Sequence, residues 1–97
     1  MVLCFNFYIK LELKDFFKDK LILDVGTGSG ALAEFLAFKG ARVVATDVSK
    51  KAVSAARARF AQSLILRERV TVGVSDLFDR LEEITGQKNL KFDYVVF

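Results

Sequence analysis

The chain opens on a period-two pattern. Leu3, Phe5, Phe7, Ile9, Leu11 and Leu13 alternate with Cys4, Asn6, Tyr8, Lys10, Glu12 and Lys14, which predicts a strand with one apolar face. Lys14 to Lys20 is a charged break around the pair Phe16-Phe17. Leu21-Ile-Leu-Asp-Val is a short apolar run entering a glycine-rich turn, as expected of a central parallel strand buried on both faces. Ser29 is placed to cap a helix with apolar positions at Ala31, Leu32, Phe35, Leu36 and Phe38, stopped by Gly40. Ala41 to Thr46 reads as a second strand closed by Asp47. Ser49 caps a second helix with Ala52, Val53, Ala56 and Phe60 on its inner side. Arg69 to Val74 reads as a third strand, and Leu77, Phe78, Leu81 and Ile84 suggest a short helix ending at Gly86. Phe92 to Phe97 is a fourth strand. Strands and helices alternate, so the fold class is α/β: a parallel sheet with helices on both faces. Residues 1–19 form an N-terminal extension and residues 20–97 a single domain.

Composition narrows the chemistry. The chain has 97 residues, 53% of them hydrophobic, which suffices for one small core. Fifteen basic against twelve acidic residues leave a mild +3. Arg57, Arg59, Arg67 and Arg69 are the densest basic stretch; they read as a solvated helix face, since no aromatics interleave them as a nucleic-acid patch would have it. One cysteine, Cys4, and no histidine exclude a disulfide framework, Ser-His or Cys-His nucleophiles and a His-bearing zinc site; no metal is expected. Met1 to Leu13 is too short to span a bilayer and lacks a basic start and a cleavage site, so a cytoplasmic setting without a membrane is expected.

The turn Gly26-Thr27-Gly28-Ser29-Gly30 joins a strand to a helix. Its glycines permit positive φ and close approach of a ligand, and N–H groups at the start of the following helix favour an anionic group. Read as Gly26-x-Gly28-x-x-Ala31, the loop also fits a dinucleotide fingerprint, and Asp47, twenty-one residues after Gly26, suits a ribose in either case. Asp24 discriminates. A pyrophosphate would meet its charge unfavourably, whereas a ligand bearing an ammonium and a sulfonium would not.

These residues resemble the class I methyltransferases that use S-adenosyl-L-methionine (SAM). Asp24-x-Gly26-x-Gly28-x-Gly30 looks like their first motif, Ala45-Thr-Asp47-Val-Ser like the acidic loop after the second strand, and Val74-Ser-Asp76-Leu-Phe like the loop after the third. The resemblance covers about Lys20 to Phe97. It implies the N-terminal half of a Rossmann-like fold, with SAM held by Asp24, Gly26, Thr27, Gly28, Gly30, Asp47, Val48, Asp76 and Leu77. Asp47 would take both ribose hydroxyls, Val48 would be an apolar wall for the adenine, Asp76 would take the adenine amino group and the Leu77 N–H a ring nitrogen.

Thr46-Asp-Val-Ser, Ser75-Asp-Leu-Phe-Asp and Phe92-Asp-Tyr-Val-Val further resemble the HemK-like enzymes, which methylate a glutamine amide in translation release factors. The alternatives are an amino-methyltransferase of RNA or DNA bases, an NAD-binding domain and a non-catalytic remnant. In the HemK-like pattern an Asn-Pro-Pro-Tyr motif follows the fourth strand, and the sequence stops at Phe97 before it. No catalytic residue is therefore assigned in this chain, which is expected to bind SAM weakly without turnover. The family's strand order is third, second, first, fourth. Phe92 to Phe97 would then be an apolar edge open to self-association, or to pairing with the Leu3 to Leu13 segment. A release factor or another protein is the expected partner, with nucleic acid the weaker reading.

Overall fold

The computed structural model describes residues 2–3, 16–76 and 79–97. Among these, five strands form one parallel sheet: β1 (Val2–Leu3), β2 (Leu21–Val25), β3 (Arg42–Asp47), β4 (Val70–Val74) and β5 (Tyr94–Val96), in the order β1-β5-β2-β3-β4. Four helices connect them: α1 (Ala31–Phe38), α2 (Lys50–Phe60), α3 (Leu64–Arg69) and α4 (Leu81–Thr85).

Register and alternation assign the faces. Ile22 pairs with Val43 and Tyr94, and Val43 with Val70, so these side chains share one face. There Ile22, Val43, Ala45 and Val96 pack with Ala33, Leu36 and Ala37 of α1, Ala56 and Phe60 of α2 and Leu66 of α3. Gly73 lies on the opposite face, against Ile84 of α4: a Cβ there would stand 2.5 Å from Ile84 Cγ1. Helices thus cover both faces, as the alternation of elements requires. At the sheet centre Ile22, Leu23 and Asp24 are all buried, which explains why β2 reads as an apolar run without alternation.

Local chemistry sets the boundaries and corrects the sequence expectations. Ser29 does not cap α1; Gly30 is its N-cap, at φ 87, with no side-chain hydrogen bond. The reason is that Gly30 N–H donates to the Thr27 carbonyl (2.9 Å), which carries the turn one residue further before helical geometry begins. Ser49 does cap α2, its Oγ accepting from Ala52 N–H at 3.1 Å. The helix α3, capped by Ser63, was not expected, since Leu64-Ile-Leu is an apolar run without helical spacing. The third strand accordingly begins at Val70 rather than Arg69. The fourth expected strand is only Tyr94–Val96.

Two features concern the extension. Val2 and Leu3 pair in parallel with Val95 and Val96, so backbone pairing onto the β5 edge occurs for these two residues. The rest of the alternating segment lies outside the described residues. Phe17 is fully buried in the core and stacks edge-on against Phe16 (5.0 Å) and Tyr94 (6.1 Å), so the core draws on a residue that the charge pattern assigned to the extension. Asp19 N–H donates to the Gly40 carbonyl at 3.0 Å, fixing that entry to β2.

Candidate ligand site at the strand ends

The carboxyl ends of β2, β3 and β4 gather the predicted acids, the usual ligand position in an open α/β sheet. The glycine loop is held by β3: Gly26 N–H and Thr27 N–H both donate to the Thr46 carbonyl, at 2.9 and 2.8 Å. Gly28 N–H donates to Asp47 Oδ2 at 3.0 Å, and Ser49 N–H donates to Asp47 Oδ1 at 2.9 Å. Asp47 thereby joins the two loops and keeps a lone pair on each oxygen for a further donor.

The three glycines divide their work. Gly26 (φ 73) and Gly28 (φ 57) need the left-handed conformation, and a Cβ on either would meet nothing within 4 Å, so open space lies beside the loop. At Gly30 a Cβ would stand 2.5 Å from Phe60 Cζ. Gly30 therefore serves close packing of α1 on α2, while Gly26 and Gly28 leave room for a ligand.

Asp24 is 3% exposed and accepts from Thr27 Oγ1 at 2.8 Å. Burial pushes its carboxyl from 3.8 up to about 6; the Thr27 hydrogen bond opposes this, and the Asp47 carboxylate adds to it by repulsion. A cation placed between these two acids relieves both the desolvation and the repulsion. An anion worsens them. The loop N–H groups of Gly26, Thr27, Gly28 and Gly30 are moreover already donated within the protein, so they are not presented to a pyrophosphate. A ligand with a cationic end and a vicinal diol fits the donor set: Asp24 for the charge, Asp47 for the diol, the space above Gly26 and Gly28 for the linker.

Val48 is 67% exposed and presents an apolar surface at the rim. Asp76 is exposed just beyond β4, and Ser75 N–H, donating to the Asp47 carbonyl at 3.0 Å, ties its loop to that of Asp47. Leu77 lies outside the described residues. Asp24, Gly26, Thr27, Gly28 and Asp47 form one bonded cluster, with Val48 and Asp76 on its rim. Three residues that organise the site were not singled out from the sequence: Thr46, whose carbonyl anchors the loop, and Ser75 and Asp79, which bind each other at 2.7 Å. A threonine inside an apolar strand and a second acid three residues after Asp76 were the available signals. Among the described residues no group of three or more potential ligands gathers to hold a metal, and no helix is long and apolar enough to cross a membrane.

Comparison with known proteins places these features in a family. Residues 23–97 match the family model described as a methyltransferase domain. The chain is 44% identical over 63 residues to the release factor glutamine methyltransferase of Rhodopirellula baltica, covering 63% of this chain and 21% of that protein. It is 40% identical over 58 residues to the ubiquinone biosynthesis O-methyltransferase of Chromobacterium violaceum, covering 60% of this chain and 25% of that protein. Among solved structures, magnesium protoporphyrin IX methyltransferase from Synechocystis with bound SAH superposes with a TM-score of 0.69 at 28% identity, covering 91% of this chain and 37% of that one. The chain thus spans about a fifth to a quarter of the length of these curated relatives.

Proposed function

The chain belongs to the methyltransferase-domain family, and from that membership we propose that it forms the SAM-binding portion of an enzyme that methylates a glutamine amide nitrogen in a protein, a translation release factor being the model acceptor. The cofactor is S-adenosyl-L-methionine. The observation that carries this is the pair of carboxylates at the loop, buried Asp24 and shared Asp47, beside a glycine turn in which the N–H groups of Gly26, Thr27, Gly28 and Gly30 are donated within the protein. That arrangement selects a cationic ligand with a diol over an anionic dinucleotide.

SAM, when bound, supplies an electrophilic methyl group on a sulfonium. Asp24 holds the cationic end, and Asp47 orients the ribose through its two oxygens. The glycine loop, pinned to Thr46, keeps these two anchors at a fixed separation. Positioning of this kind accounts for a large share of catalysis, roughly 7–11 kcal/mol where two reactants are held in near-attack geometry.

The glutamine acceptor is supported by the similarity to the release factor enzyme and by the Ser75-Asp-Leu-Phe-Asp and Phe92-Asp-Tyr-Val-Val runs. Relatives with other acceptors, the ubiquinone O-methyltransferase among them, make the acceptor the part to be tested. A nucleic-acid acceptor draws little from the basic stretch. Arg57 donates to the Val72 carbonyl, Arg59 pairs with Glu34 at 3.2 Å and Arg69 donates to the Gly40 carbonyl, so three of its four arginines brace the fold. Because the segment alone is expected to bind SAM without turnover, the test is transfer of radiolabelled methyl from SAM by the whole protein that carries this segment, with a release-factor peptide and an RNA oligonucleotide in parallel arms. Label on the peptide's glutamine amide is the expected result. Label on the RNA alone overturns the acceptor assignment.

A further inference from the structure

The loop between β4 and α4 carries a hydrogen-bond cluster centred on the Asp79 carboxylate. Asp79 Oδ1 accepts from Ser75 Oγ at 2.7 Å and from Asp76 N–H at 3.0 Å. Ser75 Oγ in turn accepts from Arg80 N–H at 3.3 Å, and Asp79 N–H donates to the Asp76 carbonyl at 3.2 Å. Asp79 immediately precedes Arg80, the N-cap of α4, and reaches three residues back to the Asp76 N–H, as the acid of a capping box does. Among the described residues Arg80 itself makes no side-chain cap hydrogen bond.

What the loop presents is Asp76. Its backbone N–H and carbonyl are both fixed by Asp79, leaving the exposed carboxylate to move only about its own side-chain torsions. Ser75, 3% exposed, anchors the cluster inward, and its N–H donates to the Asp47 carbonyl at 3.0 Å. The acid of the second loop and the acid of the third are therefore connected through one buried serine. The Ser75 hydroxyl, donating to Asp79, holds its carboxyl below the usual carboxylate range.

We propose that Ser75 and Asp79 are positioning residues that set the orientation of Asp76, and thereby the enzyme's ability to tell adenine from a base lacking its amino group. The proposal rests on the reading that SAM is the cofactor and that Asp76 meets the adenine amino group.

The experiment compares S-adenosylhomocysteine with S-inosylhomocysteine, in which a carbonyl replaces that amino group. Both are titrated calorimetrically into the wild type, Asp79→Ala, Asp79→Asn and Ser75→Ala, with circular dichroism checking the fold of each. The wild type is expected to prefer the adenosyl compound by about tenfold, the size of a hydrogen bond to a charged acceptor. Asp79→Ala should reduce that preference to about twofold, and Ser75→Ala should reduce it partway. Asp79→Asn, whose amide oxygen still accepts from both donors, should keep most of it. A merely structural role would weaken both ligands equally and leave the ratio unchanged. A folded Asp79→Ala that keeps the wild-type ratio overturns the proposal while leaving Asp76 as the adenine contact. If Asp79→Ala does not fold, an unchanged ratio in Ser75→Ala does the same. A wild type that binds both compounds equally overturns the reading of Asp76 and this proposal with it.

Discussion

Replacing Asp24 with asparagine separates the two demands on the site, because the carboxylate should be unfavourable for the fold and favourable for the ligand. Its folded-state value is pushed from 3.8 to about 6, a displacement that corresponds to about 3 kcal/mol between the protonation states. Proton counting gives the sign. Well below pH 4 the acid is neutral in both folded and unfolded chains and contributes no pH dependence. Between about 4 and 6 the folded chain holds a proton that the unfolded chain has released, so stability falls as pH rises. Above about 6 the carboxylate is charged in both states and the full penalty applies. The asparagine side chain cannot ionise. Any constant cost of burying its amide cancels when the two proteins are compared across pH. Urea unfolding of wild type and Asp24→Asn at pH 4, 5, 6, 7 and 8 should therefore show the stability difference moving in favour of the variant by about 3 kcal/mol, mostly between pH 4 and 6. At pH 7.5 the same variant should bind S-adenosylhomocysteine at least about tenfold more weakly, the loss of a charge-assisted contact. Parallel stability profiles would refute the claim that this carboxylate is buried against its own ionisation.

Other substitutions probe separate parts of the molecule. Gly30→Ala should destabilise by about 2–4 kcal/mol, since its Cβ would overlap the Phe60 ring at 2.5 Å and φ is 87, whereas Gly28→Ala should cost only about 1–2 kcal/mol for its left-handed backbone; chemical denaturation of the pair checks the contrast. Thr46 Oγ1 is buried and has no hydrogen-bond partner among the described residues, so Thr46→Val, which keeps the shape and removes that hydroxyl, should raise stability by about 1–2 kcal/mol in the same assay. Ser49→Ala should lower it by about 1 kcal/mol through loss of the α2 cap.

Most of the fold was legible because long-range placement follows from local pattern in a parallel α/β sheet. The apolar run at Leu21 to Val25 reads as a strand buried on both sides, and right-handed crossovers leave few topologies for its neighbours, but the strand order itself came from the family resemblance. Helix α3 escaped notice because Leu64 and Ile65 stay exposed while only Leu66 is buried, so tertiary context and the Ser63 cap decide the conformation rather than amphipathic spacing. At the site, Asp24, Asp47 and the glycines were visible as residue types in a recognisable order. What could not be read was how the loop closes. Backbone partners such as the Thr46 carbonyl leave no trace in side-chain chemistry, and Gly30 looks like Gly28 in sequence although it packs against Phe60.

The central claim is that the strand-end cluster receives a cationic nucleoside ligand. Calorimetric titration of the protein with S-adenosylhomocysteine and, separately, with NADH at pH 7.5 tests it without requiring an acceptor. Saturable one-to-one binding of S-adenosylhomocysteine with no heat from NADH is the predicted result; saturable binding of NADH with none of S-adenosylhomocysteine would contradict it.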